Sequence, residues 1–370
     1  MPHRIAGLWL FVIYYFHQKW YTVFAMATQL NNGKYRIEYG GQSFDTLYWE
    51  SLSDEEFLKA KSDYYDLPPM DKVLSQLEKV ANDGGTKIDV ITHRYFRELM
   101  SKVKLHYNKW TIEDVFNCKE LVEYMSAKAR QNAKVYPPEW PLSKKMYKMF
   151  GLAGKGVASP PTQFSLKTVD EVLSKYNVNE NWYDYSCGWG VRLLGALRNG
   201  VNYFGTDPNT ELCVKLNELK NDYCKVATPK STATIVCGGS EVFHPEWEGQ
   251  MGLCFSSPPY FDIEDYKIGE GQSYKEGMLY VDWIRNYVVP TILNISKYLV
   301  PGGYFLVNIK DTPKYKMAEN WCEIARRVGL EQVGMDVMDV HNRSFGTING
   351  DGTNHQHNGD ENIYVFRKPQ

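Results

Sequence analysis

Two periodicities divide this chain of 370 residues. From Ser165 onward, short apolar runs alternate with stretches of helical spacing. The runs at 181–185, 203–205, 233–237, 251–255, 304–309, 331–340 and 362–367 read as strands. Between them, 166–176, 191–198, 210–223, 280–298 and 318–328 carry the spacing of amphipathic helices. Strictly alternating strands and helices predict a doubly wound, Rossmann-like α/β sheet. Before residue 150 the pattern is mainly helical. Asp54–Ser62 and Met70–Ala81 follow the start signals Ser53 and Pro69, and helices are expected over 94–107 and 112–132. One short alternating run, Tyr35-Arg36-Ile37-Glu38-Tyr39, precedes Gly40-Gly41. Tyr136-Pro137-Pro138-Glu139-Trp140-Pro141 then interrupts the pattern. Three segments follow: an apolar extension over 1–27, an accessory and candidate target-recognition domain over 28–150, and an α/β domain over 151–370.

The extension holds twelve apolar residues from Ile5 to Phe16, after Arg4. That is too short to span a bilayer, which takes roughly 20 residues. It resembles a signal peptide in form, but its aromatic density and the His17-Gln18-Lys19 interruption are atypical. The expectation is a start at Met26 or a peripheral helix, not secretion or a membrane span.

Composition changes the picture little: 43% hydrophobic, 23% charged, and a net charge of −2. The distribution of charge matters more. Between Arg94 and Lys155 stand 13 Lys and Arg against 6 Asp and Glu. Such a stretch suits a nucleic-acid face, with Lys102, Lys104 and Lys109 as candidate phosphate contacts, or else a solvated helix surface. The seven cysteines are scattered with no C-x-x-C pair. They read as reduced thiols of a cytoplasmic protein, with neither disulfide framework nor metal site. His341, His355 and His357 sit in a polar loop without an assigned role.

Candidate chemistry lies at two places. The first is Asp184-Tyr185-Ser186-Cys187-Gly188-Trp189-Gly190, where the first strand of the α/β domain turns into a helix. Gly188 and Gly190 allow a tight turn and close approach of a ligand. The dinucleotide fingerprint would want a third glycine where Leu193 stands, which disfavours NAD. Asp207, at the end of the next strand, can accept hydrogen bonds from both hydroxyls of a ribose, or can help start the helix at Thr210. The second place is Ser257-Pro258-Pro259-Tyr260, directly after the apolar run Leu253-Cys254-Phe255. Two prolines cannot continue a central strand. They make a rigid corner beyond a strand's carboxyl end, holding a hydroxyl and an aromatic ring.

Taken in order, Asp184-x-x-Cys187-Gly188-x-Gly190, Asp207 and Ser257-Pro258-Pro259-Tyr260 resemble the S-adenosylmethionine-dependent amino-methyltransferases of DNA. The resemblance runs over about 157–370. It includes Ser159-Pro160-Pro161-Thr162-Gln163-Phe164 ahead of the first strand, Tyr260 to Tyr266, Pro301-Gly302-Gly303, Asn308-x-x-Asp311 and the closing segment from Glu361 to Lys368. It implies S-adenosylmethionine as cofactor, with Thr162, Phe164, Asp184, Ser186, Cys187, Gly188, Gly190, Asp207 and Ser240 on the cofactor side. Ser257, Pro258, Pro259 and Tyr260 would be catalytic. The implied partner is double-stranded DNA with the target base flipped out of the stack. Opening the corner with Ser257, in place of Asp or Asn, tilts the implied target toward cytosine N4 over adenine N6. Rival readings are methylation of RNA or a nucleotide, and an inactive cofactor-binding subunit that binds nucleic acid. The oligomeric state is not legible in the sequence.

Overall fold

The computed structural model describes residues 26–82, 84–131, 139–153, 156–176, 178, 181–339, 344–347 and 361–370. The apolar run at 5–16 and the three histidines of the late loop lie outside the described residues.

The chain divides into two compact units, and the division does not follow the expected cut at residue 150. Residues up to Asp66 together with Tyr107–Pro160 form one; Leu67–His106 with Pro161–Gln370 form the other. In the first unit, β1 (Met26–Gln29), β2 (Tyr35–Tyr39) and β3 (Gln42–Thr46) make an antiparallel sheet. Among the described residues four helices accompany it: Asp54–Tyr65, Ile112–Phe116, Lys119–Gln131 and Leu142–Ala153. Ser53 caps the first in a capping box with Glu56. The single helix expected over 112–132 is two. Asn117 ends the first piece, and the Cys118 carbonyl accepts from Val122 N–H at 3.2 Å to begin the second. Asparagine competes for backbone hydrogen bonds and so punctuates a helix.

The second unit is built on one eight-stranded sheet. Its members, after the short β4 (Lys104–Leu105), are β5 (Asn181–Asp184), β6 (Asn202–Asp207), β7 (Ala233–Cys237) and β8 (Met251–Ser256). There follow the two-residue β9 (Glu264–Asp265), which pairs with β4, and then β10 (Leu299–Asn308), β11 (Glu331–Asp339), β12 (Ser344–Thr347) and β13 (Glu361–Arg367). The order across the sheet is β12-β11-β13-β10-β8-β5-β6-β7. From β10 to β7 all pairings are parallel; β13 returns antiparallel beside β10. This is the Rossmann-like α/β sheet that the alternation predicts.

Period-2 alternation gives the sheet two apolar faces. Trp182, Leu253, Phe255 and Leu306 join one core, and Tyr183, Cys254, Phe305 and Val307 join the other, every one of them buried. Helix Val191–Arg198 and helix Thr210–Val226 supply side chains to the first core. The helical stretch from Tyr280 to Tyr298 and helix Met317–Arg327 cover the other. The stretch from Tyr280 is not regular. Its backbone widens to a π-type turn over Ile284–Val288, just before Pro290. Proline lacks an N–H and crowds the carbonyl four residues back, and a wider turn relieves both.

Residues 67–106 belong with this sheet because their apolar face is spent on it. Val73, Leu77, Val80, Ile91 and Phe96, from helices Met70–Asn82 and Asp89–Lys102, are buried in the first core. Tyr95 adds a 2.5 Å hydrogen bond to Asp222. Helical spacing shows that a helix has an apolar face, not which core receives it.

Candidate active site

In this sheet β5 is the switch point: the chain goes next to β6 on one side and later to β8 on the other. Ligand crevices of open α/β sheets lie outside the carboxyl ends of strands at such a point. There the structure opens a recess of about 660 Å³, mouth included. Its walls come from the turn after β5 (Tyr185, Ser186, Gly188, Trp189), the end of β6 (Asp207), the segment after β7 (Ser240, Glu241) and Pro259 of the corner. Tyr266 and Gln272 of a following loop, and Tyr287, complete it.

The turn after β5 is set by a buried ion pair. Arg192 Nε donates to Asp184 at 2.8 Å, and the Tyr203 hydroxyl donates to the same oxygen at 2.8 Å. The guanidinium also reaches the Ser186 carbonyl and, at 3.3 Å, the Ser256 hydroxyl. One arginine therefore ties the end of β5 to the end of β8. Burial acts to lower the Arg192 pKa, but Asp184 outweighs it and the result lies above the ordinary value. Asp184 is fully buried. It shapes the turn and does not line the recess.

Other expected cofactor residues separate in the same way. Ser186, Gly188, Asp207 and Ser240 line the recess, whereas Thr162, Phe164, Asp184, Cys187 and Gly190 are absent from its wall. Cys187 is buried, with its amide on the Thr206 carbonyl at 3.2 Å. Phe164 packs edge-on to Phe255 and under the Arg192 guanidinium. Gly190 has φ +75°, and a side chain there would meet Leu219 at 2.7 Å and Phe96 at 3.0 Å. Its missing Cβ makes room for two packed helices, not for a ligand. Gly188, with φ +57°, does border the recess.

Asp207 is the best-placed acceptor. The Asn209 N–H donates to it at 3.0 Å. Burial pushes its pKa up to about 7, against the pull of the Asn209 and Gly188 amides, and neighbouring Asp184 adds to the rise. Ser240 is fixed from behind by Thr291 at 2.8 Å and by Asn294, which donates to its carbonyl at 2.9 Å. The recess thus combines flat rings (Tyr185, Trp189, Tyr266, Tyr287) with two carboxylates, Asp207 and Glu241. Rings hold a flat heterocycle by stacking and attract a cation, while carboxylates accept from a diol or an amine. Tyr185, Trp189 and Tyr266 stand inside motif segments of the sequence without a role assigned to their rings. With 27 tyrosines in the chain, no spacing singles out Tyr287.

The Ser-Pro-Pro-Tyr corner stands just beyond β8, as its prolines predict. Pro258 is buried, Ser257 and Tyr260 are partly exposed, and Pro259 meets the recess. The corner is held by its own backbone. Ile263 N–H donates to the Tyr260 carbonyl at 2.8 Å, and Phe261 takes φ +23°, unusual for a side-chain-bearing residue. Its ring is clamped edge-on by Tyr274, Tyr280 and Tyr315. Burial raises the Tyr260 pKa well above the usual value, and Glu361 and Glu264 reinforce it. Two further elements of the motif series prove structural. Asn308 donates to the Asn362 carbonyl at 3.2 Å, and Asp311 accepts from Ala318 N–H at 2.8 Å at the start of a helix.

The three candidate phosphate-binding lysines fall in different units. Lys102 pairs with Glu98 at 3.2 Å and Glu211 at 3.7 Å, and Lys104 lies in β4 opposite Asp265. Lys109 belongs to the other unit, where its amine reaches the Ser43 carbonyl. Among the described residues no helix is long and apolar enough to cross a membrane.

No family model matches the chain, and no curated protein matches it. Solved structures do show likeness. A TehB-like SAM-dependent methyltransferase from Corynebacterium glutamicum is 15% identical, with 65% of this chain and 98% of that one covered and a TM-score of 0.34. The [4+2]-cyclase SpnF is 14% identical over 54% of this chain and 80% of its own, with a TM-score of 0.36. A 1,6-didemethyltoxoflavin-N1-methyltransferase from Burkholderia thailandensis is 11% identical over 55% and 78%, with a TM-score of 0.34.

Proposed function

We propose that this chain transfers a methyl group from S-adenosylmethionine to an exocyclic amine of a DNA base, cytosine N4 ahead of adenine N6. The observation that carries the reading is the junction at Pro259. A recess with rings and a ribose-type acceptor meets the Ser-Pro-Pro-Tyr corner at the carboxyl ends of adjacent strands.

The residues present fit the cofactor. Asp207, buried on the recess wall with a raised pKa, would accept from the ribose hydroxyls. Gly188 would let the backbone approach the cofactor, and the recess rings Tyr266 and Tyr287 would stack on a flat heterocycle or attract a cation. When bound, the sulfonium supplies an activated methyl group, so positioning is what remains for the protein. At the corner, Ser257 and the Pro258 carbonyl accept from the amine and turn its lone pair toward the recess. Tyr260 supports the face of the base. A base in a duplex must leave the stack to arrive there, at a cost of a few kcal/mol. The target preference rests on Ser257 opening the corner. The test is calorimetric binding of S-adenosylmethionine to the protein and to Asp207→Ala, together with transfer of labelled methyl to unmethylated DNA. Binding that Asp207→Ala weakens, with label in DNA, supports the reading; a folded protein that neither binds nor transfers refutes it.

A further inference from the structure

All seven cysteines are free thiols, and two of them, Cys224 and Cys237, are exposed. Cys237 ends β7, the edge strand of the sheet, opposite Asp207 at the end of β6. It has a second thiol beside it. The Cys237 sulfur lies 3.4 Å from the hydroxyl of Thr210, the first residue of helix Thr210–Val226. Cys213, one turn further along that helix, is buried and donates through its sulfur to the Asp207 carbonyl at 3.2 Å. The same carbonyl accepts at 3.0 Å from the N–H of Gly238, the residue after Cys237. An exposed thiol and a buried one therefore converge where β6, β7 and the helix start meet. Burial raises the Cys213 pKa, Asp207 adds to the rise, and Cys237 adds further through charge and a side-chain hydrogen bond. Both thiols are joined directly to the recess. Asn209 and Leu212 precede Cys213, Gly239, Ser240 and Glu241 follow Cys237, and all five line the wall.

We propose that Cys237 is a redox-modification site with Cys213 as its resolving thiol, and that the disulfide they form weakens cofactor binding in the recess. The Cys237 thiolate attacks a small-molecule disulfide, RSSR; one sulfur bonds to Cys237 and the other leaves as RS−. The Cys213 thiolate then attacks Cys237 Sγ and expels the second RS−. Two protein thiols are oxidised, one RSSR is reduced to two RSH, and each protein thiol supplies one proton. The raised Cys213 pKa leaves little thiolate, so the second step is slow and the mixed disulfide on Cys237 precedes the internal bond. To bond Cys237, the Cys213 sulfur must leave the Asp207 carbonyl. The helix start then becomes tied to the segment that carries Ser240 and Glu241. The thiol chemistry is independent of the function proposed above; its effect on S-adenosylmethionine rests on that function.

The experiment treats reduced full-length protein with oxidised glutathione and blocks the remaining thiols with N-ethylmaleimide at timed intervals. Peptides are then mapped by mass spectrometry without reduction. Wild type and the control Cys224→Ser should carry glutathione on Cys237 early and a Cys213–Cys237 link later. Cys213→Ser should stop at the mixed disulfide, and Cys237→Ser should form no link. Calorimetric affinity for S-adenosylmethionine should fall about tenfold or more in oxidised wild type and return with dithiothreitol. In oxidised Cys237→Ser it should stay within about twofold of the reduced protein. Glutathione that stays on Cys237 of wild type without a link removes Cys213 as resolving thiol and overturns the proposal. A link from Cys213 to the buried Cys187, or no modification at all, overturns it as well. So does a Cys213–Cys237 link that leaves the affinity unchanged. If Cys213→Ser fails to fold, the wild-type time course decides. Reduced wild type that does not bind S-adenosylmethionine removes the parent function, and the peptide map then decides the thiol pair by itself.

Discussion

The two turns that meet at the recess are held by opposite means. After β5, the chain from Asp184 to Gly190 depends on a buried carboxylate answered by Arg192 and Tyr203. After β8, the corner from Ser257 to Tyr260 contains no charged residue; two prolines and the clamped Phe261 fix it. A turn held by charge spends its polar groups on itself. A corner held by proline needs none of its own polar side chains to keep its shape. The difference explains why Asp184 sits behind the recess while Ser257 stands partly exposed.

Removing the charge should break the first turn most severely. Arg192→Ala leaves Asp184 buried with only its tyrosine and backbone partners, and such a change costs about 3–5 kcal/mol of stability. Ser257→Ala, by contrast, should stay within about 0.5 kcal/mol of wild type. Denaturant unfolding of both variants measures the contrast. Equal stability of the two would break the comparison.

The corner should show the reverse profile. Tyr260→Ala and Ser257→Ala should lower turnover about 100-fold or more, equivalent to about 2.7 kcal/mol, with cofactor affinity nearly intact. Single-turnover kinetics beside calorimetry would reveal it. Wild-type rates in both variants would remove the corner from the chemistry.

Asp207 lies between these cases, because it is both buried and part of the recess wall. Asp207→Asn should weaken S-adenosylmethionine binding by about 1.5–3 kcal/mol. Its folded pKa of about 7 lies above the ordinary 3.8, so between those values the folded state holds more protons than the unfolded. Stability from this group is therefore full at acid pH and lost as pH rises through about 7. Thermal melts of the ligand-free protein across this range should slope downward and flatten in Asp207→Asn. Cofactor affinity should run the other way and weaken as pH falls through about 7, where the acceptor becomes protonated. An unchanged melting slope in Asp207→Asn would contradict the burial account.

Most of the sheet could be read from the sequence because strand alternation and turn residues are local signals. Val191–Arg198 and Ala233–Cys237 fall where the pattern puts them. The corner was legible because consecutive prolines have few structural uses. Packing partners were not. Gly190 carries a ligand-type signature, yet it serves Phe96, which arrives from a helix almost a hundred residues earlier. The same long-range packing moved residues 67–106 into the α/β unit. Tyr287 was hidden among many equivalent tyrosines.

The smallest effect should come from the basic stretch. Replacing Lys102, Lys104 and Lys109 together by Ala should flatten the salt dependence of DNA affinity by less than about one phosphate contact, or about 0.9 in slope. Lys102 already answers Glu98 and Glu211, and the three lysines are divided between two units. A flattening worth three contacts would instead make that stretch the reading face.

The central claim is that a methyl group held in the recess reaches an amine at the corner. Its most direct test is digestion of DNA to nucleosides after incubation with labelled S-adenosylmethionine, followed by mass analysis, for wild type and Tyr260→Ala. The account predicts label on an exocyclic nitrogen, cytosine N4 ahead of adenine N6, and its near disappearance in Tyr260→Ala. Label on a ring carbon, or no label in DNA from a folded protein that binds the cofactor, would contradict it.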